Sequence, residues 1–311
     1  MPYPCQPRSA LCSLLLALGV TAVLGLAGCG EGGPAAGGGQ AQKATIQTKG
    51  SDTMVNVAQA WAEEYAKVEP NVEVEVSGGG SGPGIAALGK GMIDIATASR
   101  NMKPDEVEQA RKNNAGKEPK ELVVGHDALA IYVHKDNPLN EITIEQLARI
   151  FAEDGNFTKW SELGVTLPGV SDDTIVRVSR QSSSGTYEFF REHVLQKKDF
   201  KLGSRDLNGS KEVVELIGGT KTAIGYSGMG YATPQVKMLK VAAKAGDPAY
   251  PPTIENALNK TYPLARSLLL YTLGEPQGAV KKYIDWIMSD AGQKIMADCG
   301  YVPITAAENA K

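Results

Sequence analysis

The sequence predicts an α/β protein built on an open sheet, and three observations carry that expectation. Short apolar, strand-like segments alternate with segments of helical period. The 311 residues suffice for about two domains, each with a core of its own. Several strands run directly into clusters of glycine and small hydroxyl residues that open a helix.

Residues 45–49 and the alternating Val72-Glu73-Val74-Glu75-Val76 read as strands. Between them, residues 56–68 place Val57, Trp61 and Tyr65 at helical spacing, which makes a β-α-β opening. A short helix over 83–90, a strand over 93–97, a polar helix over 104–113 and a strand over 122–133 follow. In the middle, Thr143 and Gln146 form a capping box ahead of a helix over 144–151. A strand over 175–178, a helix over 187–196 and a strand over 223–226 come next. The chain ends with an apolar strand over 267–271 and two helices between Gln277 and Cys299. Breaks at Asp136-Asn137-Pro138 and over 228–234 mark the expected crossings between two lobes.

Composition excludes several classes. Hydrophobic residues at 42% and charged residues at 22% are ordinary globular usage, so neither wholesale disorder nor a polytopic membrane protein fits. A net charge of −3 offers no general field for nucleic acid, and any anion must be held locally. Cys5, Cys12, Cys29 and Cys299 include no CxxC pair, and His126, His134 and His193 lack ligand spacing, so no metal or other cofactor is expected.

Residues 1–28 carry one charge, Arg8, ahead of an apolar run over 11–26 that is short for a membrane span and reads as a secretory signal. The run ends in Leu26-Ala27-Gly28-Cys29, which resembles the bacterial lipobox and makes Cys29 the expected lipidation site. Residues 29–43 are rich in glycine, alanine and glutamine and read as a flexible tether, with folding expected to begin near Ala44. The expected location is therefore extracytoplasmic, on the bacterial cell membrane.

The chemistry concentrates at three strand-to-helix junctions: Gly50-Ser51-Asp52-Thr53, Gly78-Gly79-Gly80-Ser81-Gly82, and Arg180-Gln181-Ser182-Ser183-Ser184-Gly185-Thr186. Helix starts expose unpaired N–H groups and partial positive charge, and glycine lets an anion approach the backbone. Serine and threonine add hydroxyl donors. Each serine alone could be a simple N-cap; three such junctions with Arg180 among them point to a small tetrahedral oxyanion. Arg100, following Ser99 at the end of a strand, is a second candidate cation. Residues 84–91 come within one residue of a P-loop, but Gly91 stands where a serine or threonine should hold magnesium. No GxSxG elbow is present, and His193 is the single histidine near Ser184 that could serve a serine hydrolase.

At these residues the chain resembles the phosphate-specific substrate-binding proteins of ABC transporters (PstS). The likeness extends over nearly all of the chain after the signal. It includes the three junctions, residues 94–100, Ile150-Phe151 with Thr158-Lys159-Trp160, Ala223-Ile224-Gly225-Tyr226, and Gly292-Gln293-Lys294 with Gly300-Tyr301-Val302-Pro303. The resemblance implies a type II periplasmic-binding-protein fold, two α/β lobes with crossover hinge segments, closing on one dehydrated phosphate without enzymatic chemistry. Lobe I would comprise 44–133 and 233–311, and lobe II 134–232. It places Thr53, Ser81, Arg180, Ser184, Gly185 and Thr186 on ligand positions, with Ser51 and the backbone of Met54 as additions and Ser99 and Arg100 at the third strand end. A monomer delivering phosphate to ABC permease subunits is the implied partnership.

One departure matters. Well-known members carry an aspartate at that strand end to accept the proton of hydrogen phosphate, where this chain has Ser99-Arg100. Asp52 is the candidate for that role, since a carboxylate acceptor separates a protonated anion from sulfate. Sulfate, molybdate, tungstate or arsenate remain alternative ligands. A secreted phosphatase, or an adhesin or signalling module on the same fold, are the competing classes.

Overall fold

A computed structural model describes residues 43–304. The signal segment, Cys29 and nearly all of the tether lie outside the described residues.

Strand β1 (Ala44–Gly50) begins where folding was expected to begin, and helix α1 (Val55–Val68) returns the chain to β2 (Val72–Ser77), parallel to β1. The helix buries Val57, Ala58, Trp61 and Tyr65, the face that its spacing predicts. Helix α2 (Ser81–Gly89) starts two residues before the expected position. Gly80 caps it with φ near +102°, a conformation that favours glycine. Strand β3 (Ile95–Ala98) is buried throughout, and α3 (Pro104–Asn113) begins on its proline.

Strand β4 (Pro119–His134) is longer than expected. It is followed by β5 (Glu141–Thr143) and α4 (Ile144–Phe151), whose capping box forms as predicted: Gln146 N–H donates to Thr143 Oγ1 at 3.0 Å, and Thr143 N–H to Gln146 Oε1 at 2.9 Å. Next come β6 (Val176–Arg180) and α5 (Gly185–His193). Helix α5 was expected to reach Gln196, but that residue has a φ of 53°, left-handed backbone that ends a helix.

Strand β7 (Arg205–Leu207), α6 (Ser210–Gly218), β8 (Ala223–Gly228), β9 (Val236–Met238), β10 (Lys240–Ala242) and α7 (Ile254–Leu258) follow. The chain closes with β11 (Ala265–Leu273), α8 (Gly278–Ile287) and α9 (Asp290–Asp298).

The main sheet has the order β2-β1-β3-β11-β4-β8-β6-β7, with β9 also pairing β4. Parallel strands stand at both ends: β2, β1 and β3 on one side, β8, β6 and β7 on the other. The long antiparallel strands β4 and β11 join them. Strand β4 changes partner along its length, pairing with β11 as far as Ala128 and with β8 from Leu129 to Val133. That change divides the sheet into a β1 half and a β8 half, and it falls a few residues before the expected lobe boundary at Val133.

Two aromatic clusters fix the helices that matter for the site. Trp61 Nε1–H donates to Gly292 O at 2.8 Å and ties α1 to α9, while Tyr65 lies 4.9 Å from the Tyr283 ring. Under α5, Phe190 stacks on Tyr226 with centroids 4.0 Å apart and meets Phe151 at 5.1 Å. Burying each such ring contributes roughly 2–3 kcal/mol, so the start of each helix is held by the packing of its body. Cys299 is buried and disulfide-bonded.

Candidate functional site

Strands β1, β2 and β6 end at the three junctions, β3 ends beside them at Ser99, and backbone bonds set their register. Ser51 N–H donates to Thr97 O at 2.9 Å, and Gly80 N–H to Gly50 O at 2.9 Å. Gly82 N–H crosses between the sheet halves to Ser183 O at 3.2 Å. Gly185 sits against the opposite half, where a Cβ would lie 2.4 Å from Ser81 Oγ and 2.8 Å from Ser99 Oγ. Any side chain there would push the halves apart.

The hydroxyls form a buried cluster. Thr53 Oγ1 and Thr186 Oγ1 are 2.8 Å apart, joining the loop before α1 to helix α5. Ser51 Oγ–H donates to Ser99 Oγ at 3.0 Å, and Ser81 Oγ lies 3.5 Å from Ser99 Oγ. Two of the serine oxygens already accept from backbone nitrogen: Ser81 Oγ from Ser99 N–H and Ser184 Oγ from Thr186 N–H, both at 3.1 Å. A hydroxyl that accepts from an N–H keeps its own proton to give away, so these serines are biased to act as donors. Among the three serines that open the junctions, Ser184 is the one that caps its helix; Ser81 is already the first residue of α2, and Ser51 precedes the cap of α1.

Arg180 is the central cation. It is completely buried, with Nη1–H donating to Ser210 Oγ at 2.9 Å and Nη2–H to Asn208 O at 2.6 Å. A bond from Nη2–H reaches Asp52 Oδ2 on the other half at 3.3 Å. Burial pulls the Arg180 guanidinium below its ordinary value, and the Asp52 carboxylate works against that shift. The guanidinium stays charged, and its one carboxylate contact is longer than the 2.7–2.9 Å usual for charged pairs. Asp52 Oδ1 also accepts from Gly79 N–H at 2.9 Å, so this carboxylate bridges two junctions and one cation.

Two expected residues stand apart. The Arg100 side chain turns away from the hydroxyls and holds Glu106 with two bonds of 2.7 Å, a fork-on-fork pair that satisfies its charge. The Met54 side chain lies in the core, and its N–H is spent on Ser51 O at 2.9 Å within its own turn.

Sequence reasoning missed four residues of the cluster. Asn208 and Ser210 hold Arg180 from the start of α6, a helix that the apolar spacing of Val213, Val214 and Ile217 could have revealed. Asp127 and Arg266 form a second buried ion pair at 2.8 Å, and a carboxylate inside the apolar run of β4 was its signal. The donor set suits an anion: amides, hydroxyls and guanidinium groups outnumber the carboxylates Asp52 and Asp127, each already paired with an arginine.

Comparison with known proteins agrees with this chemistry. Residues 35–291 match the model of a PBP superfamily domain. The chain is 35% identical to the phosphate-binding protein PstS of Pseudomonas aeruginosa over 84% of this chain and 83% of that protein. A crystal structure described as a phosphate ABC transporter substrate-binding protein from Clostridium perfringens, with bound phosphate, is 32% identical and superposes with a TM-score of 0.72. It covers 84% of this chain and all of the other. An ABC-type phosphate transport receptor from Vibrio cholerae is 27% identical with a TM-score of 0.65, over 83% of this chain and all of the other. With a site of this composition on this sheet, the chain belongs to the PBP superfamily and, within it, to the family of PstS phosphate-binding proteins.

Proposed function

We propose that the protein captures inorganic phosphate outside the cytoplasmic membrane and passes it to an ABC permease, without catalysing a reaction. The observation that carries this reading is the convergence of three helix starts and the buried Arg180 from opposite halves of the sheet. The ligand groups are Ser51, Asp52, Thr53, Ser81, Ser99, Arg180, Ser184, Gly185 and Thr186. Oxygens of a tetrahedral anion would take the hydroxyl and amide protons, while Asp52 would accept the one proton of hydrogen phosphate. The two sheet halves act as lobes, and contacts made to both at once favour the closed state.

The lipobox-like Cys29 would hold the protein at the membrane through its thioether, with residues 30–43 as a leash. The intact mass of the mature protein tests that attachment.

Calorimetric titration with phosphate, arsenate, sulfate and molybdate tests the ligand. Tightest binding of phosphate, with arsenate next and sulfate far weaker, is expected. A preference for sulfate or molybdate would replace the phosphate assignment with another oxyanion, and no binding of any of the four would remove the receptor role.

A further inference from the structure

The Asp127–Arg266 pair sits where β4 and β11 cross from one sheet half to the other, the two residues directly opposite in the ladder. Their side chains are 0% and 2% exposed, as deep as Arg180. Arg266 Nε–H and Nη2–H both donate to Asp127 Oδ2, at 3.0 and 2.8 Å, and Asp127 Oδ1 accepts from Met229 N–H at 3.0 Å. The guanidinium also reaches the hydroxyl cluster: Nη2–H donates to Thr53 Oγ1 at 3.3 Å and Nη1–H to Ser99 O at 3.4 Å.

Arginine carries N–H donors and no acceptor, so Thr53 Oγ1 can only accept from it. The single Thr53 proton then has Thr186 Oγ1, 2.8 Å away, as its neighbour. With one lone pair taken by the Thr53 proton, the Thr186 hydroxyl keeps its own proton to donate. Without Arg266, the two threonines could exchange roles, and in half of the arrangements a lone pair would face the anion. We propose that Arg266, held by Asp127, is a positioning residue that fixes the direction of the Thr53–Thr186 hydrogen-bond chain, so that this pair presents a proton to a bound oxyanion. This inference rests on the oxyanion reading above and adds to it a specificity residue outside the three junctions.

A double-mutant cycle separates this role from a merely structural one. Wild type, Arg266→Gln, Thr53→Val and the double variant are titrated with inorganic phosphate at pH 8. Arg266→Gln is expected to weaken binding about tenfold when Thr53 is present, the scale of one hydrogen bond to a charged group. In the Thr53→Val background, where the chain it directs is gone, the loss should shrink to about twofold or less. Equal losses in both backgrounds, or none in either, overturn the proposal. Should Arg266→Gln fail to fold because Asp127 loses its counter-charge, Asp127→Asn combined with Arg266→Gln removes both charges of the pair and runs through the same cycle with the same expectation. If wild type binds sulfate instead of phosphate, the phosphate reading fails by itself and the cycle is run on sulfate. If wild type binds neither anion, both fall.

Discussion

The dipeptide Ser-Arg stands at a strand end twice in this protein, closing β6 and directly following β3, and the two copies point opposite ways. At β6, Ser179 faces the core and bonds the Tyr226 hydroxyl at 2.7 Å, while Arg180 faces the site. At β3, Ser99 faces the site and bonds Ser51, while Arg100 faces out to Glu106. Side chains alternate along a strand, so an offset of one residue exchanges which member of the pair becomes functional. The difference extends to energetics. Arg100 meets a carboxylate through two short bonds and has its charge matched, whereas Arg180 is held by a carbonyl, a hydroxyl and one longer carboxylate contact. A buried cation with incomplete compensation is the one with attraction left for an anion.

The most severe way to test this contrast is Arg180→Ala, which should weaken phosphate binding at least about tenfold by calorimetry, since it removes a desolvated charge. An unchanged affinity would move the site elsewhere. Asp52→Asn is the next largest: it keeps the shape but removes the carboxylate, and should narrow the preference for phosphate over sulfate. If the ratio of the two affinities holds, the proton of hydrogen phosphate is recognised by another group. Arg100→Gln, in contrast, should alter phosphate affinity by less than about threefold, because its charge is already matched by Glu106. A tenfold loss there would erase the distinction between the two strand ends.

The smallest effect is one of pH. Burial pushes the Glu106 carboxyl up, but the bonds from Arg100 and from Lys103 N–H outweigh it and leave the group below its ordinary value. A carboxylate lowered in this way adds stability above its unfolded value of about 4.3, and that stability is lost as pH falls through the folded value. The melting temperature of Arg100→Gln should therefore lie below that of wild type at pH 7, and the gap should close as the pH drops below about 4. A gap that persists in acid would mean that the Arg100–Glu106 pair contributes through packing instead.

The opening β-α-β unit was legible in the sequence because each segment has one buried face and a clean period: Val57, Trp61 and Tyr65 for α1, alternating valines for β2. The three junctions were legible because glycine and hydroxyl residues collect where strands give way to helices. Which way Arg100 turns was not, since that depends on where β3 ends and on Glu106, six residues on. Asn208 and Ser210 were hidden for a different reason: their links to Arg180 span about thirty residues, and that of Asn208 passes through a carbonyl, which every residue type possesses. Asp127 and Arg266, 139 positions apart, meet only because β4 and β11 pair antiparallel at the crossing. Local patterns locate donors, but their compensation is a tertiary fact.

A crystal structure of the protein grown with inorganic phosphate addresses the shared site directly. The account expects one phosphate bonded to the Arg180 guanidinium and to hydroxyls from both sheet halves, Ser81 from one and Ser184 or Thr186 from the other. Phosphate bound to a single half, or held by Arg100 with Arg180 out of hydrogen-bond reach, would contradict it.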